Sequence, residues 1–244
     1  YALSAATSGA NNTSIGSQSS HAMTTGSNNV AVGFLALNDN TTASNNTAVG
    51  KSALAANTTA SNNTAVGNNT LYSNTTGASN VAVGNAAGYY TTGERNTFLG
   101  EGAGFNVTSG TRNTFIGQDS GVNMTTGGKN TIIGKFNGNQ GGLDIRTSSN
   151  HIVLSDGDGN PRMRMNGAGL FCPEVYSVTG AATANVYVDP AGNLYRATSS
   201  LKYKTDVQDA EHGLADVLKL RSVIYKSKKE SESGITFGGF IAEE

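Results

Sequence analysis

The chain has 244 residues, a net charge of −1 and only 14% charged side chains, with 32 Gly and no Trp. Such a charge balance offers no basic patch for a phosphate backbone, so no nucleic-acid partner is expected. No run of 18 apolar residues occurs, so no membrane insertion is expected either. Abundant Gly, Asn, Thr, Ser and Ala with almost no net charge directs the reading to internal repeats before disorder. The chain opens at Tyr1 without a Met or a basic leader region, which reads as a cut or processed end.

A repeat fills the first half. Eight glycines hold one phase: Gly16, Gly33, Gly50, Gly67, Gly84, Gly100, Gly117 and Gly134. The residue before each is aliphatic: Ile15, Val32, Val49, Val66, Val83, Leu99, Ile116 and Ile133. Four residues before each glycine stands an Asn: Asn12, Asn29, Asn46, Asn63, Asn80, Asn96, Asn113 and Asn130. Thr-Thr-Gly corners follow, as at Thr24-Thr25-Gly26, Thr75-Thr76-Gly77 and Thr125-Thr126-Gly127. Each unit reads as a strand, a glycine that turns the chain, a second short strand (Ala53-Leu54, Thr70-Leu71) and a polar corner. One such coil cannot bury its apolar stripe, whereas stacked coils can. The expected fold is therefore all-β: a parallel β-roll, or β-solenoid, of about eight 17-residue coils over residues 1–142.

Two further expectations concern this roll. Identical Asn residues stacked in register can bond from rung to rung as a ladder, so these positions read as structural. The residues three and one before each glycine share one strand face, and the residue between them takes the other. That middle position runs Ser14, Ala31, Ala48, Ala65, Ala82, Phe98, Phe115, Ile132 and reads as the outer face. Small residues there would let another surface approach, and the large ones would need covering. Side-by-side packing of several chains, as a homotrimer, follows from that assignment.

Residues 143–198 read as a β-rich connector. His151–Leu154 and Arg162–Met165 form one expected hairpin around the turn at Asp156–Asn160. Asp156, Asp158 and Asn160 are spaced like the start of a Ca²⁺ loop, but Pro161 and Gly167 stand where that loop needs Gly and Glu. The segment therefore reads as a turn, and no metal or cofactor is expected. Asn185–Asp189 and Leu194–Arg196 form a second expected hairpin. The lone Cys172 carries no disulfide or redox implication.

Charge then changes sharply. Asp39 and Lys51 are the only charged residues before 93, whereas residues 199–244 carry many. A short amphipathic helix of about 12 residues is expected from Asp209, with apolar positions at Leu214, Val217, Leu218 and 220–223. Strands are expected at Val223–Tyr225 and Ile235–Phe237.

Carboxylate pairs for a glycan hydrolase are missing from residues 1–92, which hold one Asp and no Glu. Ice binding would need Thr-x-Thr strands, and Thr clusters instead at the corners. His21, His151 and His212 are scattered and suggest no triad.

The Asn-x-x-x-Gly phase of residues 11–142 resembles the left-handed β-roll heads of trimeric autotransporter adhesins, and resembles still more the Asn-Thr-x-x-Gly repeats of phage tail fibres. Residues 199–207, 214–221 and 239–244 resemble the opening of the intramolecular chaperone that ends endosialidases and other phage fibres. The resemblance implies that 199–244 is the N-terminal part of a trimerising, self-cleaving chaperone. It implies autoproteolysis at Thr198–Ser199, with Ser199 at the cut and Lys204 assisting. A Ser hydroxyl needs such a base, and burial can make a Lys one. Asp and Arg are common in that family where this chain has Ser200 and Lys202. The implied function is a virion tail-fibre shaft, extracellular and made in the host cytoplasm, which attaches to a host surface glycan or protein and joins other virion proteins. The alternative is a bacterial trimeric surface adhesin without self-cleavage.

Overall fold

The computed structural model describes residues 2–172 and four further strands, Asn185–Val188, Leu194–Ala197, Arg221–Lys226 and Thr236–Ile241. The chain divides into two compact units, Tyr1–Val178 and Thr179–Glu244. The described residues contain strands and turns and no helix.

The first unit is a parallel β-solenoid. Its strands are β1 (Thr13–Ile15), β2 (Val30–Val32), β3 (Thr47–Val49), β4 (Thr64–Val66), β5 (Val81–Val83), β6 (Thr97–Leu99), β7 (Thr114–Ile116) and β8 (Thr131–Ile133). Each pairs in parallel with the next, so like positions stack: Val49 on Val66, Ala48 on Ala65, Thr47 on Thr64. A strand needs its neighbours because three residues alone bury almost nothing. The backbone bonds run both ways, as where Thr47 N–H donates to the Asn63 carbonyl and Gly50 N–H donates to that of Val32.

The glycines that set the phase are required. Gly50 has φ +135, and a Cβ there would strike the Gly67 carbonyl of the next coil. The same holds along the whole row from Gly16 to Gly134, where φ lies between +106 and +140. Coils can approach to strand-pairing distance only if this row has no side chain.

The faces of the strand are the reverse of the expected ones. The middle position points inward: Ala31, Ala48, Ala65, Ala82, Phe98, Phe115 and Ile132 are all 0% exposed. The flanking Thr and aliphatic rows point outward, with Ile15 59%, Val83 40% and Ile133 44% exposed. The interior is thin, so a strand residue must share it with a residue four after the glycine. That second row reads Leu37, Leu54 and Leu71 beside Ala31, Ala48 and Ala65, then Gly88, Gly104 and Gly121 where the Phe98 and Phe115 rings take the space. A Cβ on Gly121 would lie 2.5 Å from Phe115, and one on Gly88 would lie 2.7 Å from Phe98. Where the second row loses Leu, a Phe ring from the strand of the same or the following coil fills the space, as dense packing demands.

The second short strand is not a strand either. Ser52 and Leu54 have φ +55 and +52, and the segment is a ribbon of turns. Left-handed residues at alternate positions send Ser52 N–H to the Phe34 carbonyl of the preceding coil and Leu54 N–H to the Thr70 carbonyl of the following one. The inter-coil bonding survives without extended backbone.

The sheet continues beyond β8. The next rung comes 21 residues on rather than 17, and a small antiparallel hairpin, β9 (Asn139–Gln140) with β10 (Leu143–Asp144), takes up the extra chain. Then β11 (Ile152–Ser155) pairs in parallel with β8 as a ninth rung. It also forms the expected hairpin with β12 (Pro161–Asn166), which pairs with β13 (Gly169–Phe171).

In the second unit, β14 (Asn185–Val188) pairs antiparallel with β15 (Leu194–Ala197), and β16 (Arg221–Lys226) with β17 (Thr236–Ile241). The expected helix lies outside the described residues as far as Leu220. Arg221, Ser222 and Val223, which its apolar pattern included, are in β16 instead.

Candidate functional site

Three arrangements organise the described surface and interior: a buried amide ladder, an outward aliphatic strip and an aromatic groove. Ser199 and Lys204, the residues implied for self-cleavage, lie outside the described residues.

The ladder joins all eight Asn of the repeat. Each Oδ1 accepts the backbone N–H of the Asn one coil on, at 2.9 or 3.0 Å, from Asn12 to Asn130. The Nδ2 groups donate onward, as from Asn29 to the Ala43 carbonyl at 2.9 Å and from Asn113 to that of Gly127 at 2.9 Å. Seven of the eight are buried, and Asn12 at the first rung is partly exposed. Buried amides are tolerable only when both ends are bonded, and here they are. The left-handed corner is carried not by the ladder Asn but by the residue before it, as in Asn45, Asn62 and Arg95 at φ +60 to +64. A second, shorter amide row, Asn40, Asn57 and Asn74, lies seven residues after the glycine and was not anticipated. Its signal was present as an Asn recurring at the repeat distance.

At the ninth rung His151 stands in the ladder's place. Its N–H donates to Asn130 Oδ1 at 2.9 Å, but its own Nδ1 is buried and has no partner among the described residues. Burial, and secondarily the Arg164 charge, push its pKa below the usual imidazole value. The unfolded chain therefore takes up this proton first as pH falls through about 6.5. Stability will fall from about pH 7 to about pH 5, and the loss stops growing once the folded imidazole protonates too. Urea titrations at both pH values check this, and His151→Asn, which restores the repeat residue, will flatten the response. An unchanged slope in that variant would assign the pH effect elsewhere.

The turn after β11 is held by Asp156. Its carboxylate accepts N–H bonds from Asp158 and Asn160 and pairs with Arg162 at 2.6 Å. These contacts, the Asn160 amide first, hold its pKa down to about 2. Both oxygens are thus engaged within the hairpin itself.

The outward strip pairs an aliphatic row with a row of mostly Thr. The row one before each glycine and the Thr or Val row three before it cover one face of the nine-rung sheet, roughly 38 Å long at the usual rung spacing. Nothing among the described residues covers this face, where Ile15, Val81, Val83, Ile133, Ile152 and Leu154 are exposed.

The aromatic cluster is the third feature. Five residues after their glycines, Tyr72, Tyr89 and Phe105 stack on successive coils, with centroids 5.0 and 5.1 Å apart. Tyr90 stands edge-on to Tyr89 and Phe105 at interplanar angles of 72° and 85°. Beyond it runs a groove of about 720 Å³. Desolvation first, then Tyr72 and Tyr90, raise the Tyr89 phenol pKa, so the hydroxyl keeps its proton. The phase of these four residues in the repeat was readable but was not singled out.

No protein family, characterised protein or solved structure matches this chain. The class that the fold defines is the parallel β-solenoid.

Proposed function

We propose that this chain is a segment of a fibre shaft that assembles as a homotrimer through the outward aliphatic face of its sheet and carries the fibre to a surface. The observation that carries the reading is that strip: a continuous row of aliphatic side chains, one per rung, beside a second row of mostly Thr, and a contiguous apolar surface of this kind marks an interaction site. Self-association is the natural cover, because identical strips match in length and spacing. The number three, the virion setting and self-cleavage after Thr198 rest on the resemblance to phage fibres and their chaperone. The correction of the strand faces moves the proposed contact from the Ala and Phe row to the Thr and aliphatic rows.

Analytical ultracentrifugation tests the assembly. The native chain, 24.9 kDa, will sediment at three times that mass. Val49→Glu with Val66→Glu will sediment as single chains with an unchanged far-ultraviolet circular dichroism spectrum. A monomeric native chain would refute the proposed face. Cleavage is read separately by intact mass on the protein expressed from its complete gene. A product ending at Thr198, lost in Ser199→Ala, supports the phage-fibre reading. Full-length product in both would favour the bacterial adhesin without self-cleavage.

A further inference from the structure

Two departures from the repeat meet at one place on the shaft. The first is aromatic. Five residues after the glycine other coils carry His21, Asn38, Ala55 and Val122, but three consecutive coils carry Tyr72, Tyr89 and Phe105. Tyr90 is added in the next position, 45% exposed. The second is the hairpin β9–β10, which brings Asp144 and Arg146 out of the eighth coil. Arg146 is held by Asp144 through Nε at 3.0 Å and Nη2 at 2.8 Å. Between Tyr90 and the hairpin the Phe105 coil and the next one present Asn106, Thr108, Asn123 and Thr125. The result is the groove of about 720 Å³, with Tyr90 at one end and Arg146 at the other. That volume lies in the range of small-ligand sites.

The rings do little for the core. At this level the interior is closed by Ala87, Gly88 and Phe98, while Tyr72, Tyr89 and Phe105 are only half-buried and Tyr90 is exposed. The column of three can be read as packing between coils. Tyr90 cannot, because it stands across the column and lines the open groove.

From this juxtaposition we infer that the groove is a saccharide-binding site, with a glycan strand lying along the shaft axis. It rests on the surface-attachment reading for its role. A ring face is electron-rich and apolar, and it suits the C–H face of a pyranose. Amides and hydroxyls suit sugar hydroxyls, which donate and accept side by side. The Asn123 side chain makes no hydrogen bond among the described residues, whereas Asn106 Nδ2 donates to the Val122 carbonyl at 2.9 Å and so presents its oxygen fixed. The lining spans four coils, about 14 Å at the usual rung spacing and enough for about three linked rings. Competing occupants fit worse. Asp144 neutralises Arg146, the one cation of the lining, which disfavours phosphate. A peptide would need apolar anchors, and Tyr90 is the only large apolar side chain facing the groove.

The probe is a glycan microarray of neutral, amino and acidic hexose oligomers, followed by saturation-transfer NMR of whatever is retained, with inorganic phosphate and an unrelated Tyr-free peptide as controls. The native chain is expected to retain at least one glycan and to saturate its ring C–H protons. Tyr90→Ala and Asn123→Ala will each weaken it about tenfold. Tyr90→Phe, which keeps the ring, will bind as the native chain does. Sedimentation of the same samples separates loss of assembly from loss of the groove: a variant that keeps its mass and spectrum but not its ligand has lost the site alone. Retention of no glycan, binding unchanged in Tyr90→Ala with Asn123→Ala, or displacement by the peptide or phosphate would each overturn the assignment.

Discussion

Gly121→Leu combined with Phe115→Ala will be more stable than either single variant. A Leu at position 121 must enter space that the Phe115 ring fills, since even a Cβ there lies 2.5 Å from the ring. Overpacking of that kind costs about 1–3 kcal/mol, and the left-handed backbone at φ +61 adds about 1–2 kcal/mol for any residue with a Cβ. Phe115→Ala alone opens a cavity in a fully buried layer and costs about 3–5 kcal/mol. The double variant recreates the Ala48–Leu54 pairing of the third coil, where Leu54 already sits at φ +52. Its cost should therefore fall to the backbone share, about 1–2 kcal/mol. Urea denaturation of the four proteins gives the coupling, expected at about 4–8 kcal/mol in the favourable sense because the overpacking and the cavity costs are both removed. Strict additivity would mean that the two rows do not share one volume.

That exchange between rows also marks where the sequence could and could not be read. The period, the glycines and the amide ladder were legible because each recurs in every coil and each has one chemical reason. The face assignment failed for a physical reason. Val49 and Val66 look like core residues and Ala48 and Ala65 like surface ones, but a thin lumen that already holds Leu54 and Leu71 from the turn ribbon leaves room for only a small strand residue in those coils. The bulk comes instead from Leu37, Leu54 and Leu71, at left-handed positions that propensity would not give to Leu. The signal that would have exposed the error is the anticorrelation itself: Ala31, Ala48 and Ala65 go with Leu, and Phe98 and Phe115 go with Gly104 and Gly121. The ribbon was taken for a strand because two apolar letters in a row do not report φ. The groove was hidden for a different reason: its two ends come from separate breaks in the repeat, and only the fold brings Tyr90 and Arg146 to one side.

The ladder carries the second large effect. Asn63 is fully buried and bonded on both sides: its N–H donates to Asn46 Oδ1 at 2.9 Å, and its Oδ1 accepts the Asn80 N–H at 2.9 Å. Its Nδ2 also donates to the Ala60 carbonyl at 3.3 Å. Asn63→Ala leaves the Asn80 amide without an acceptor in a place water does not reach. An unmet buried donor costs about 1–3 kcal/mol, and losing the second bond brings the total to roughly 2–4 kcal/mol. Asn12→Ala removes the same two kinds of bond at the first rung, where the side chain is partly exposed and water can replace them. Its cost should stay below about 1 kcal/mol. Amide hydrogen exchange separates the mechanisms. In Asn63→Ala the Asn80 amide should lose protection before the rest of the coil does, because that N–H alone has lost its acceptor. Equal costs at positions 12 and 63 would mean that the ladder stabilises through side-chain stacking rather than by meeting buried backbone donors.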